Sequence, residues 1–344
     1  MPLRPDQIGQ RIVVRRLLPG QTGPTGGPAL TDVLGILETW DGLGLSIRRE
    51  DGDLLRIAHV DIVAAKPVPP RPSLRQRIPA ADLQRICSRG WQAPDQLELG
   101  AWLLRAAGGF TGRANSVLVA GEPARPADAA LERVNRWYAD RDLPVLAQVI
   151  TGSDWLSDLE ERGWLLARPA EADTLVLVAS VSRALRAHAG AHQTRTSSLR
   201  HPPPVTLSPR LTDVPGSAWI SCYGRAAGFD PQVVLGVLTS GERVAFASII
   251  DPADARTPLA IGRGVVTGDW LGLAAVEVSA QSRRRGLGEA IVVRLLEWGA
   301  SHGALSSYVQ TMSDNPAALG LFERFGFRTH HAYRYLRPPD RDNL

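Results

Sequence analysis

Apolar and polar positions change their spacing several times along this chain, and each change marks an element. Residues 8–66 carry short alternating runs at 11–17, 31–40, 43–49, 54–58 and 62–65. A Gly/Pro/Thr-rich loop at 19–28 follows the first run, and Asp41-Gly42 and Asp51-Gly52 between apolar runs are hairpin signals. Five short strands in so little chain predict a small SH3-like β-barrel. Lys66-Pro67-Val68-Pro69-Pro70-Arg71-Pro72 then reads as a stiff linker that ends the domain.

Helical and strand periods alternate after it. Between 76 and 182 the pattern predicts helix 80–89, strands 102–106 and 116–120, helix 128–138 and strand 145–150. Helix 154–162, capped by Ser153, and strand 174–180 follow. Residues 187–204, rich in Ala, His, Ser, Thr, Arg and Pro, read as a linker. Next come a strand at 205–211, a helix capped by Asp213 that carries Trp219 and Tyr223, and a helix from Pro231 to about Leu238. Strands at 243–250, 259–266 and 270–278 make an antiparallel meander.

The last strand of the meander leads through Ser279-Ala280-Gln281-Ser282 into Arg283-Arg284-Arg285-Gly286-Leu287-Gly288. A helix with Leu287, Ile291, Leu295 and Trp298 on one face begins there. A strand that feeds a helix N-terminus through glycines gathers unpaired amides at the positive end of a dipole, which suits a phosphate. Gly286 and Gly288 would let a diphosphate approach the backbone with no Cβ in the way. A strand at 305–311 follows, then Ser313-Asp314-Asn315-Pro316-Ala317-Ala318 and Leu321-Phe322-Glu323-Arg324-Phe325-Gly326-Phe327. Asn315 reads as a helix N-cap and Pro316 as the first helical residue.

The first of these segments resembles the R/Q-x-x-G-x-G/A motif of the GNAT acetyltransferase superfamily, and the second resembles its strand–Asn–helix–GF signature. The resemblance implies that acetyl-CoA is the acetyl donor. Val276 and Val278 would line its pantetheine, and Arg283, Arg284, Arg285, Gly286, Leu287 and Gly288 would take its diphosphate. Asn315, Ala318 and Phe322 would complete the cofactor site. The order of elements over 76–182 repeats that of the C-terminal region, so it resembles a second, degenerate GNAT fold. At its phosphate turn stands Gly121-Glu122-Pro123-Ala124-Arg125-Pro126, where prolines remove donors and Glu122 adds the wrong charge. This half is therefore not expected to bind acetyl-CoA. The expected fold class is α+β, with an SH3-like barrel over 1–70, a degenerate GNAT-like domain over 75–185 and a catalytic one over 203–340. That layout resembles a subfamily of high-GC bacterial proteins described as N-acetylglutamate synthase-like or histone acetyltransferase-like. Shared features are Arg113-Ala114-Asn115-Ser116, the Arg283–Leu287 turn, and the ending from Gly326 to Tyr333.

The acid–base pair departs from the family. Phe322 stands where many members have the tyrosine that protonates the thiolate, and Gln310 where some have a glutamate base. Neither side chain exchanges protons near neutral pH. Glu277 and Tyr308 are the candidate substitutes beside Gln310, which is also suited to hydrogen-bond a substrate. His330, His331, Tyr333 and Tyr335 crowd the last strand. Each has a plain structural alternative, as an ion-paired strand carboxylate or as packing. Catalysis by approximation alone is the other route. For the acceptor, Arg113 and Asn115 stand in a polar internal loop, and Arg263 is placed to clamp a carboxylate.

Composition narrows the partners. Of 39 basic residues Lys66 is the single lysine, and the net charge is +4 with a pI near 9.5. No basic stripe interleaved with aromatics accompanies that charge, which argues against nucleic acid. Cys87 and Cys222 lie far apart and outside any metal spacing, so no metal is expected. No apolar run reaches membrane-spanning length and no signal-peptide core opens the chain, so the expected location is the cytoplasm. Oligomeric state does not follow. The leading expectation is an N-acetyltransferase acting on a small-molecule amine, with an amino acid such as glutamate as one candidate. The alternatives are a protein or drug-amine acetyltransferase and a catalytically weak CoA-binding regulator.

Overall fold

A computed structural model describes residues 7–23, 26–49, 52–68, 74–168, 172–196, 207–251 and 254–339, in two compact units, Met1–Ser73 and Leu74–Leu344. The boundary falls beside the proline-rich run, of which 69–72 lie outside the described residues.

The first unit has five antiparallel strands, β1 (Arg11–Thr22), β2 (Pro28–Trp40), β3 (Gly44–Arg48), β4 (Leu54–Ala58) and β5 (Ile62–Pro67), in the order β4-β3-β2-β1-β5. Their alternating apolar positions, Ile12, Val14, Val33, Leu37, Leu45, Ile47 and Ile57, form its core. Asp41 ties the β2–β3 turn by accepting from the Leu43 and Gly44 amides. No ladder joins β4 to β5 among the described residues, so the expected barrel is not closed there. The loop expected over 19–28 is shorter, because β1 runs on to Thr22 and β2 starts at Pro28.

The second unit begins with α1 (Leu74–Arg77), α2 (Ala80–Arg89), β6 (Asp95–Leu99), β7 (Trp102–Ala106), β8 (Val117–Val119), α3 (Ala127–Ala139) and β9 (Ala147–Ile150). It continues with α4 (Asp154–Glu161), β10 (Leu165–Leu166), β11 (Thr174–Ser180), α5 (Val181–Thr196), β12 (Arg210–Thr212), α6 (Ser217–Cys222) and α7 (Pro231–Leu238). It ends with β13 (Arg243–Asp251), β14 (Asp254–Thr267), β15 (Trp270–Val278), α8 (Leu287–Ser301), β16 (Ser306–Met312), α9 (Pro316–Arg324) and β17 (Arg328–Arg337).

One sheet runs through the whole unit in the order β12-β13-β14-β15-β16-β11-β17-β9-β8-β7-β6, with β10 on β17. Two pairs are parallel, β8–β9 and β15–β16, and each is bridged by a helix, α3 or α8. The segments expected as separate domains over 75–185 and 203–340 are thus built into one body. Strand β11 of the first lies between β16 and β17 of the second, and β17 pairs in turn with β9 of the first. The sequence of β11 suits that central place: Val176, Leu177, Val178 and Ala179 are all buried, as both faces of an inner strand must be.

The linker expected at 187–204 is helical as far as Thr196, and 197–204 lie outside the described residues. Its alanines favour helix, Val181 and Ala184 enter the main core, and His188 stacks on Phe325 with ring centroids 5.3 Å apart. The strand expected at 205–211 shrinks to β12: residues 207–209 are irregular, and 205 and 206 lie outside the described residues. Asp213 does not cap α6; Gly216 does, without a side-chain bond. The edge strand β6 leaves no strand signal in the sequence because its alternation is mostly polar.

Candidate functional site

Strands β15 and β16 run together only from Trp270–Leu273 against Ser306–Val309. Beyond Leu273 they part. The cause is a bulge: Ile261 pairs with Glu277 and Arg263 with Ala274, so Gly262 alone faces both Ala275 and Val276. Ala275 takes a φ of +52° there, a conformation that costs an L-residue about 1–2 kcal/mol. Gly262 allows the bulge to sit under α8, since a Cβ at this position would run into Ile291. From Ala274 to Val278 the backbone edge that faces β16 has no ladder partner among the described residues.

The parted strands open a cleft of about 570 Å³. Val276, Glu277, Gln310, Asn315, Ala318 and Phe322 line it from the second half. The first half closes it from above with Thr111, Gly112 and Arg113. Tyr223, Arg225, Arg168, Tyr333 and Tyr335 also line it, and of these only the two tyrosines of β17 stood out in the sequence. Arg168 and Arg225 carried no signal, because arginine is everywhere in this chain.

At the Val278 end the chain makes the turn from Arg283 to Gly288. Arg284 and Gly286 have φ of +64° and +79°, and Gly286 is the N-cap of α8. The amides from Arg284 to Gly288 meet no acceptor among the described residues. Arg283, Arg284 and Arg285 are exposed, Leu287 is buried in the core, and nothing lies within 4 Å of where a Gly286 Cβ would be. Asn315 caps α9 as expected, its side chain accepting from the Ala318 amide at 3.1 Å, with Pro316 first in the helix.

Three expected site residues stand elsewhere. Tyr308 pairs with Gly272 in the closed part of the wedge, and its hydroxyl fills the space over Gly272 and Gly90 where side chains are missing. Burial raises its pKa far above the ordinary value, and it does not line the cleft. Arg263 is fully buried and spends its donors on three carbonyls: Leu238 at 2.6 Å, Gly90 at 3.0 Å and Ser240 at 2.7 Å. Burial lowers its pKa to about 10, each of its three nitrogens is held by a carbonyl, and it does not line the cleft. Asn115 is buried under the loop it belongs to. It accepts from the Ala107 and Gly109 amides at 2.8 and 2.9 Å and donates to the Phe110 and Thr111 carbonyls at 2.8 and 3.0 Å.

Arg113, the neighbour that this loop presents, does reach the cleft. Its guanidinium lies over the Trp91 ring, 4.6 Å from the centroid, and Trp91 donates its indole N–H to the Thr111 hydroxyl at 3.0 Å. Glu277 turns into the cleft because the bulge re-aims the strand, and its Oε2 accepts from the Gly224 amide at 3.3 Å. Gln310 accepts at Oε1 from the Tyr333 hydroxyl at 2.9 Å, which leaves its amide N–H donors for a ligand. Burial raises the pKa values of Tyr223, Tyr333 and Tyr335, so all three keep their protons at neutral pH. In the first half, the turn at 121–124 is packed shut. Ala101 donates its amide to Glu122, Trp102 donates to Gly121, and a Cβ on Gly100 would strike the Ala124 nitrogen.

No group of His, Cys, Asp and Glu able to hold a metal occurs among the described residues, and no helix there is long and apolar enough to cross a membrane.

The family described as probable histone acetyltransferase Rv0428c C-terminal matches residues 81–336, and the Rv0428c N-terminal Sm-like domain matches 6–66. The finding for the first unit is thus Sm-like. Probable histone acetyltransferase Rv0428c of Mycobacterium tuberculosis is 28% identical over 345 residues, covering 96% of this chain and 95% of that protein. The uncharacterized N-acetyltransferase YobR of Bacillus subtilis is 26% identical over 263 residues, covering 74% of this chain and 98% of its own. Among solved structures, a GCN5-related N-acetyltransferase from Kribbella flavida aligns with a TM-score of 0.51 at 17% identity, over 78% of this chain and 96% of that one. A tandem GNAT protein from the clavulanic acid biosynthesis pathway aligns with a TM-score of 0.50 at 12% identity, over 75% and 89%. At such identities these two likenesses speak for the fold alone.

Proposed function

Because the chain belongs to the Rv0428c family of GNAT acetyltransferases, we propose that it moves an acetyl group from acetyl-CoA to the amine of a small molecule seated between its two halves. The observation that carries this reading is the coincidence of two features at one end of the sheet. An unpaired strand edge, Ala274–Val278, runs toward a turn whose amides, Arg284 to Gly288, are also unpaired. An extended pantetheine and a diphosphate need that pair of features in that order. The residues present therefore fit acetyl-CoA, with Val276 and Val278 beside the thioester arm and Arg283, Arg284, Arg285, Gly286 and Gly288 at the phosphates. When bound, it supplies an acetyl thioester reactive toward amines.

The chain's own groups supply orientation and proton transfer. The Val276 and Val278 amides on the unpaired strand edge would donate to the acetyl oxygen. Glu277 takes the proton that the ammonium must lose before its nitrogen can attack the carbonyl carbon. The departing thiolate would need a proton that Phe322 cannot give; of the cleft tyrosines, Tyr223 and Tyr335 would supply it, since Tyr333 already donates its hydroxyl to Gln310. Gln310, held by Tyr333, orients the acceptor.

The name of the M. tuberculosis relative points to histones. The cleft here favours a small acceptor over a lysine-rich tail, because Arg113, Arg168 and Arg225 outnumber the lining carboxylates Glu277 and Asp314. Release of free thiol from acetyl-CoA, followed across amino acids, simple amines and tail peptides, tests the reading. Turnover with a small amine is expected. Tight CoA binding with no turnover would leave only a regulatory module, and no CoA binding by the folded protein would end the proposal.

A further inference from the structure

We infer that the first half, whose own phosphate turn is packed shut, supplies the anion receptor of the acceptor site through Arg113, and that the cleft selects amines that also carry a carboxylate. This rests on the acetyl-transfer reading above.

A guanidinium has five N–H donors and keeps its charge under all ordinary conditions, so one that has left bulk water needs acceptors. Two arginines of the same region show how the fold meets that need. Arg263 is spent on three carbonyls, and Arg105 on the Ser116 carbonyl and hydroxyl and on Gln148. Arg113 is different. It is half-buried in the cleft wall, yet among the described residues it makes no hydrogen bond, and neither Glu277 nor Asp314 lies within ion-pair reach. Its one partner is the face of Trp91, which holds the cation without using its donors.

The position is fixed before any ligand arrives. Trp91 is pinned by Thr111, the loop is stapled from beneath by Asn115, and Gly112 lies so close to Tyr335 that a Cβ there would come within 2.9 Å of the ring. A preset donor fork loses little entropy on binding. Arg263, whose guanidinium also lies 4.9 Å from the Trp91 ring centroid and which has no carboxylate partner among the described residues, adds to the positive field. Glu277 lies on the opposing strand edge, so one wall offers a cation and the other a carboxylate. A zwitterionic amino acid complements both, its carboxylate on the Arg113 fork and its ammonium toward Glu277. A lysine side chain within a peptide would leave Arg113 unsatisfied.

The test uses the full chain, wild type and as Arg113→Gln and Arg113→Lys, with amino acids each paired with its carboxamide and a lysine-tail peptide amidated at its C-terminus. In the wild type the carboxylate member of each pair should exceed its amide at least tenfold in kcat/KM, chiefly through KM. In Arg113→Gln that ratio should fall to within about threefold of one, with Arg113→Lys between. Coenzyme A affinity by calorimetry reports whether each variant keeps its fold, and the wild-type ratio decides even if one does not. Equal use of acid and amide by the wild type, preference for the peptide, or a ratio unmoved by Arg113→Gln would overturn the inference. If no acceptor releases thiol, the acetyl-transfer reading fails, and direct calorimetry with the same amino acids decides the rest. Binding that Arg113→Gln abolishes upholds the receptor, and no binding refutes it.

Discussion

Replacing Arg263 with methionine separates a cation that holds the fold from one that holds a substrate. The guanidinium joins three segments: the end of α2 at Gly90, the end of α7 at Leu238, and Ser240 beyond it. Methionine keeps most of the stem volume and removes every donor. Three buried carbonyls would then lose their partner, at roughly 1–3 kcal/mol each. Part of that loss is offset because the charge no longer has to be held out of water, a cost visible in the lowering of its pKa to about 10. The net is about 3 kcal/mol of destabilisation. For a unit of this size that corresponds to a fall in Tm of about 6–12 °C. Thermal unfolding followed by circular dichroism measures it, and acceptor KM at a temperature where both proteins are folded supplies the contrast. A variant with unchanged Tm and a KM raised tenfold or more would refute the structural assignment and restore Arg263 as a carboxylate clamp.

Three further outcomes are expected. Gly286→Val places a Cβ where nothing in the protein opposes it but where φ is +79°, so stability should fall by about 1–2 kcal/mol while CoA affinity drops tenfold or more; calorimetry showing full affinity would count against the phosphate turn. Asn115→Ala removes five loop hydrogen bonds, and should raise acceptor KM through Arg113 while CoA affinity holds, as steady-state kinetics beside calorimetry would show. Acidification should loosen the fold at His331, which burial, and then His330, hold down at about 4. The unfolded chain takes up that proton near 6.5, so this contribution is complete above pH 6.5, is lost as pH falls toward 4, and amounts to at most about 3 kcal/mol; His331→Gln should flatten the dependence of Tm on pH across that window.

The histidine belongs to a chain of buried polar groups whose direction is set from one end. Arg105 donates to Gln148, Gln148 to Gln84, and Gln84 to Nε2 of His331. His331 must therefore carry its proton on Nδ1 and donate it to His330, whose Nε2–H goes to the Ile78 carbonyl. A second proton on His331 would face the Gln84 donor head on. This chain crosses from β7 and β9 through α2 to β17, and so passes between the two halves.

None of that was legible in the sequence, and the reason also explains which features of the cleft the sequence announced and which it hid. The Arg283–Gly288 turn and the Asn315-Pro316 cap are local: a positive φ and a helix start depend on neighbours within a few residues, and glycine and Asn-Pro announce them. The pairing of Thr174 with Met312, or of Tyr333 with Ile150, joins segments more than a hundred residues apart whose apolar patterns suit many partners. The bulge at Ala275 left no mark in a run of alanines. It alone turns Glu277 into the cleft and divides Tyr308, sealed over Gly272, from Gln310, two residues on and open to solvent, although alternation puts both on one face. Arg113 and Arg263 looked alike for a like reason. Side-chain type sets how many donors an arginine has, and only the folded surroundings decide whether carbonyls have already taken them. Where they have, as at Arg263, the charge serves cohesion. Where an aromatic face holds the cation and leaves the donors open, as at Arg113, the fold has kept an interaction in reserve, and the unsatisfied donors are the strongest statement the molecule makes about its acceptor.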